Sequence, residues 1–225
     1  MYRERPSLVP GAVLWRSSGV SEEAELRVLP DGCMDLLWTE GTLLVAGPDA
    51  EAFVTKVSAG ASFTGLRFAP GTAPAMLRVP AAELRNQRVP LADLWPAAEV
   101  RRLTDRVRQA DSVAAGLEEI AGERLDGVDP LVREVAALLD GGASVTATAA
   151  TLGLGERRLH RLSLTAFGYG PKTLARILRL GRALELARSG RTFADVAATT
   201  GYADQAHLAR EVRSLAGVPL SDLVS

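Results

Sequence analysis

Residues 144–154 read SVTATAATLGL and residues 192–202 read TFADVAATTGY, and at an offset of 48 residues the two stretches pair without a gap. Ala149 matches Ala197, Ala150 matches Ala198, Thr151 matches Thr199 and Gly153 matches Gly201. Each copy opens on a Ser or Thr, whose hydroxyl suits the unpaired N–H groups at a helix start. It then runs through alanine-rich sequence with strong helix propensity and stops at a glycine. A second helical stretch follows each copy: GERRLHRLSLTAF after the first, DQAHLAREVRSLAG after the second. An internal repeat of this kind marks two copies of one supersecondary unit.

Helix, glycine turn, helix is the helix-turn-helix pattern. Its physical demands are met twice. Ala149 and Ala197 are small where the helices cross, and Gly153 and Gly201 stand where the backbone must turn left-handed. At about 100° per residue, Leu159, Leu162 and Ala166 fall on one side of the following helix, and Arg157, His160 and Arg161 on the other. In the second copy Leu208, Val212 and Leu215 form the buried stripe. Ala206, Arg210 and Arg213 face outward, Gln205 sits in the first turn, and Asp204 is the expected N-cap. Arginine pairs bidentately with guanine and glutamine with adenine, so these outward faces suit base reading in a major groove. Between the copies, Pro171 opens a helix that ends near Gly190, with Leu174, Ile177, Leu178 and Leu184 as its core stripe and Lys172, Arg176 and Arg179 opposite. Such a helix, about 18 residues and about 27 Å long, is a spacer on the scale of the roughly 34 Å between adjacent major-groove segments.

Charge follows the same division. Residues 144–225 hold 11 Lys and Arg against 6 Asp and Glu, whereas residues 1–143 hold 15 against 21, and the two excesses nearly cancel in a net charge of −1. A basic C-terminal segment beside an acidic one points to a polyanionic partner for the end of the chain. Before the repeat, Asp129-Pro130 starts a helix, LVREVAALLD, that Gly141-Gly142 ends. Val100, Leu103 and Val107, and then Val113, Leu117 and Ile120, recur at helical spacing. Up to about residue 72 the period is that of short strands: ELRVL, CMDLLWT, TLLVA, FVTKVS and SFTGLRF, separated by Pro30-Asp31-Gly32, Glu40-Gly41 and Gly47-Pro48-Asp49. The expected fold is α+β in two domains: a small antiparallel β-barrel or sandwich over 1–80, connector helices over 81–142, and an all-α tandem helix-turn-helix domain over 143–225.

Composition narrows the function. With 47% hydrophobic and 24% charged residues the chain has enough apolar sequence to bury a core, and no apolar run approaches the roughly 20 residues that span a bilayer. A cytoplasmic location follows as the expectation. One cysteine, Cys33, excludes an intramolecular disulfide framework and reads as a buried core thiol. The two histidines, His160 and His207, both lie after the β-rich segment, so a metal-dependent enzyme in the barrel is not expected. No catalytic residue, metal or cofactor is assigned.

The tandem arrangement, the long linking helix, GYGPK at 168–172 and GYADQAHLAREVRSLAG at 201–217 resemble the DNA-binding domain of AraC/XylS-type transcriptional regulators, over residues 130–225. That resemblance implies base reading by Arg157, His160 and Arg161 in the first recognition helix and by Gln205, Ala206, Ala209 and Arg210 in the second. Lys172, Arg176, Arg179 and Arg213 are the candidate phosphate contacts. The chain departs from the family at Ser163, where a large aromatic is usual, and at Gly217-Val218-Pro219. PDGCMDLLW at 30–38 and GLRFAPGTAPAML at 65–77 resemble the cupin-like N-terminal domain of a subgroup of these regulators. Trp15, Asp35, Trp38 and Arg67, with Asp31 nearby, are the candidate lining of an effector pocket. The implied partners are double-stranded DNA, with a small-molecule effector, a second copy of the chain and RNA polymerase as further candidates, and no membrane. Two other readings stay open: a small-molecule-binding or enzymatic cupin-like protein whose helical half is an interaction module, and a regulator whose first domain only dimerises.

Overall fold

The fold was obtained as a computed structural model, which describes residues 2–18, 23–125 and 127–224. Eight strands come first apart from one helix: β1 (Tyr2–Pro6), β2 (Ala12–Ser18), β3 (Ala24–Val28), β4 (Met34–Thr39), β5 (Thr42–Ala46), β6 (Phe53–Val57), β7 (Ser62–Phe68), then helix α1 (Ala73–Leu77) and β8 (Arg88–Pro90). The remaining helices are α2 (Ala97–Gln109), α3 (Val113–Arg124), α4 (Pro130–Asp140), α5 (Val145–Thr151), α6 (Glu156–Phe167), α7 (Pro171–Arg188), α8 (Phe193–Thr200), α9 (Gln205–Ala216) and α10 (Leu220–Val224).

The strands do not close. Six form one antiparallel sheet in the order β1-β2-β7-β4-β5-β8, and β3 and β6 pair only with each other as a separate ribbon. The antiparallel β-rich domain is as expected, but of the two forms expected for it, barrel or sandwich, the closed barrel is corrected to an open sheet plus a two-stranded ribbon. Side-chain alternation explains the sheet's two faces. Leu14, Leu66, Leu36 and Val45 stand in one cross-strand row and are all buried. They join Met34, Leu43 and Phe68 against Leu103, Val107, Leu117 and Ile120 of α2 and α3, which cover this face. The next row, Val13, Arg67, Asp35, Ala46 and Arg88, points to the opposite face. The charged edge strand β1, YRERP, is exposed at every residue, which protects the sheet from edge pairing. Its Arg5 reaches across to Glu118 of α3 through two hydrogen bonds of 3.0 and 2.9 Å. Glu118 also accepts from the Ser7 hydroxyl and the Leu8 N–H, and these partners, Arg5 foremost, hold its carboxyl below the usual range.

A second core gathers α4 to α10 around α7, whose Leu174, Ile177, Leu180 and Ala183 are all fully buried. Val132, Val135 and Leu139 place α4 in this core rather than with α2 and α3. Its start is as the sequence requires: Asp129 accepts from the Leu131 N–H, and Pro130 occupies the first turn. The two cores meet. Gly71 packs so closely on Val132 and Phe167 that a Cβ there would collide with both, and Gly32 lies against Leu174 and Leu178 of α7.

Candidate nucleic-acid interface

Each helix-turn-helix unit is built from capping chemistry outward. Ser144 caps α5 through the Ala147 N–H, and Thr192 caps α8 through the Asp195 N–H. The turns rest on Gly153 at φ +61° and Gly201 at φ +78°, a region costly for other residues. Ala149 and Ala197 are buried where the helices meet, and Asp204 caps α9 by accepting from the His207 N–H at 2.6 Å. Capping matters at these ends because an N-cap supplies about 1 kcal/mol and fixes where the first turn points.

On α6, Arg157, His160 and Arg161 are exposed while Leu159 and Ala166 are buried. The His160 ring lies against Gly170, where a Cβ would sit 3.1 Å from it. On α9, Gln205, Ala206, Ala209, Arg210 and Arg213 are exposed above buried Leu208, Val212 and Leu215. The single 18-residue helix α7 joins the two units.

Between the units lies a cleft of about 650 Å³ lined by Lys172, Arg176, Arg179 and Arg182 along one stripe of α7, with His207 and Glu211 of α9 opposite. Lys172 is exposed. The other three cations are engaged within the protein. Arg176 donates to both Glu211 oxygens at 2.8 and 3.2 Å, and these bonds hold the Glu211 carboxyl below its usual range. Arg179 donates to the Gly201 carbonyl at 3.3 Å and stacks over the Tyr202 ring, 4.8 Å from its centroid. Arg182 bonds the Asp140 carbonyl and carboxylate. Arg182 escaped the sequence reading, though its place three residues after Arg179 puts it on the same stripe.

In the N-terminal half, three of the four candidate pocket residues come together. Arg67 and Asp35 are direct cross-strand partners, and Trp15 Nε1 donates to Asp35 Oδ1 at 2.5 Å. The indole lies over Gly65, where a Cβ would collide with it. The Arg67 guanidinium stands 3.4 to 3.5 Å from carboxylates of Glu4, Asp31 and Asp35. Desolvation is the main cause that pushes the Asp35 carboxyl up to about 6; nearby Asp31 also raises it, while Arg67 and the Trp15 hydrogen bond pull it back. Burial likewise pushes the Cys33 thiol up, with Asp31 and Asp35 adding to it, which removes the thiolate that redox sensing needs. Trp38 is elsewhere: three residues from Asp35, it projects to the opposite face and packs on the helix-covered core. Among the described residues no cluster of His, Cys, Asp or Glu is arranged to hold a metal ion, and no helix is long and apolar enough to cross a membrane.

Residues 148–224 match the family described as a helix-turn-helix domain, and residues 12–90 match one described as Domain of unknown function (DUF6597). The C-terminal domain is thus a helix-turn-helix domain. No curated protein matches the chain. Among solved structures, an apo ToxT variant from Vibrio cholerae is 10% identical, with 97% of this chain and 98% of that chain covered and a TM-score of 0.51. Wild-type ToxT from Vibrio cholerae with a bound unsaturated fatty acid is 10% identical over 98% of this chain and 96% of that one, with a TM-score of 0.50. A probable AraC family transcriptional regulator from Rhodopseudomonas palustris is 23% identical over 43% of this chain and 95% of that one, at a TM-score of 0.38. The ToxT likeness shows that the two-domain architecture, β-rich half followed by helical half, is a shared fold.

Proposed function

We propose that the chain is a cytoplasmic DNA-binding transcriptional regulator that reads two adjacent major-groove segments, the first with Arg157, His160 and Arg161 and the second with Gln205, Ala206, Ala209 and Arg210. The observation that carries this reading is the pair of solvent-facing first turns on α6 and α9, joined by one helix of the right length. Lys172 and Arg213 neutralise phosphates. Arg176 and Arg179 lend charge to the cleft while their guanidinium groups hold α9 and the turn before it. Selection of bound sequences from a random DNA pool tests the reading, followed by gel shifts over a range of salt. The expected result is a two-part site bound with a steep salt dependence. Arg161→Ala should cost about 1 to 3 kcal/mol and relax preference at one base pair, while Lys172→Ala weakens all sequences alike. Unselective or salt-insensitive binding overturns the assignment.

The effector site we favour is the sheet face that carries Trp15, Asp35 and Arg67. Support comes from its chemistry, an indole and a guanidinium beside carboxylates on the sheet face opposite α2 and α3. ToxT, which shares the fold, has been seen with an unsaturated fatty acid bound. A thermal-shift screen of metabolites tests this: a compound that raises the melting temperature of the native chain should lose its effect on Arg67→Ala and keep it on Trp38→Phe.

A further inference from the structure

The second recognition helix is finished by the other domain. The last-turn carbonyls of α9 have no partner further along the helix, and such orphans need donors from elsewhere. Here both donors come from the ribbon side of the N-terminal half. The Ala52 N–H, just before β6, donates to the Leu215 carbonyl at 2.7 Å, and Arg27 Nη1 of β3 donates to the Ala216 carbonyl at 3.1 Å. Arg27 is itself steered by Glu25, which accepts from Nη2 at 2.8 Å. The guanidinium lies on the cap glycine, Gly217, so closely that a Cβ there would sit 3.1 Å from Nη1. A cation at this end also complements the negative pole of the helix.

What Arg27 is mounted on matters as much as what it touches. Among the described residues, the ribbon β3–β6 pairs with no strand of the six-stranded sheet. Its chain continues from Val28 through Asp31 to Asp35, the two carboxylates that flank Arg67. The same segment carries Gly32 onto α7. A short run of backbone therefore links the polar face of the sheet to the tip of α9. α6 meets the N-terminal half differently, by packing: its C-terminal glycine, Gly168, lies on Pro48 and the Ala81 carbonyl.

We propose that Arg27 is a positioning residue for DNA recognition: through the Leu215 and Ala216 carbonyls the β3–β6 ribbon sets where the second recognition helix lies relative to the first, and so governs the second half of the binding site. This rests on reading α9 as a recognition helix. It places the N-terminal domain's control on one half-site only.

The test uses the full chain and three DNA duplexes: the two-part site it selects, the same site with the segment read by α9 scrambled, and the same site with one base pair inserted between segments. Arg27→Ala should bind the intact site roughly ten-fold more weakly, the scale of one lost hydrogen bond to a charged group. It should bind the scrambled site as the native chain does, and pay a smaller penalty than the native chain for the inserted base pair. Arg27→Lys, which keeps a donor and the charge, should recover most of the loss. Equal weakening on intact and scrambled sites would overturn the proposal, since that is the mark of lost folding or lost general charge; so would unchanged binding of the intact site. If the native chain itself makes no distinction between intact and scrambled DNA, the assignment of α9 fails first, and the native-chain measurement alone reveals it.

Discussion

The two helix-turn-helix units share a repeat but not a core. Thr148 in α5 stands where Val196 stands in α8, and Ser163 in α6 where Val212 stands in α9. All four side chains are fully buried. The hydroxyls of Thr148 and Ser163 have no hydrogen-bond partner among the described residues, and burying an unpaired hydroxyl costs roughly 1 to 3 kcal/mol. The first unit is thus the weaker on its own, and it is the one welded to the N-terminal half: α6 rests on the turn at 81–84, Phe167 sits on Gly71, and Gly168 on Pro48. The second unit is apolar at both of those positions, its one orphan hydroxyl among the described residues being that of Tyr202 at the turn, and it touches the N-terminal half through hydrogen bonds at one tip. The unit with more buried, unpaired hydroxyls is the one held broadly by contact, and the other is held at a tip.

The sharpest way to break that contrast is to substitute the glycines that end α6 and α9. Gly168 and Gly217 both have positive φ, +84° and +75°. A Cβ at Gly168 would lie 2.6 Å from Pro48 and 3.1 Å from a backbone carbonyl, whereas at Gly217 it meets only the movable end of Arg27. Gly168→Ala should therefore cost about 2 to 4 kcal/mol in a denaturant titration and Gly217→Ala about 1 kcal/mol. Equal costs would show that α6 is no more tightly fixed than α9.

A middle-sized effect is expected at the ion pair behind α9. Arg176→Ala should destabilise by about 1 to 2 kcal/mol and weaken recognition of the second segment more than the first. The pair is also sensitive to acid. The Glu211 carboxyl is held below its unfolded value, so its contribution is complete above that value, about 4.3, and is lost as pH falls through the lower folded one. Hydrogen exchange near pH 3.5 should show α9 losing protection relative to α6, whose anchors are apolar. The smallest change runs the other way: Thr148→Val, which removes the orphaned hydroxyl at nearly constant volume, should stabilise the chain by up to about 1 kcal/mol. No gain there would mean the hydroxyl is satisfied by solvent.

The helical half was readable because its information is local. Caps, glycine turns and a 48-residue repeat are all written within a few turns of chain, and the exposed faces of α6 and α9 follow from period alone. The sheet was only partly so. Five of the eight strands, β3 to β7, are set off by turn signals, but AVLWRSS of β2 is not among the stretches so marked, and β1, a charged edge strand, and β8, three residues long, lack the apolar alternation of a half-buried strand. Whether a sheet closes depends on pairings between distant strands, which no local pattern records. Trp38 is a different kind of error, since period-two alternation already separates it from Asp35. For Arg176, the partner Glu211 lies 35 residues away on another helix, and an outward-looking cation in projection becomes a clasp once the helices pack.

The length of α7 carries a consequence of its own. Because the two units are joined by one continuous helix, its residue count acts as an angular setting as well as a distance. One inserted residue would turn the second unit by about 100° relative to the first, while lengthening the joint by only about 1.5 Å. Seven inserted residues, nearly two whole turns, would restore the facing to within about 20° and lengthen the joint by about 10 Å. Among proteins built this way, variation in the joint should therefore come in steps of whole turns, each matched by binding sites whose two parts are spaced differently.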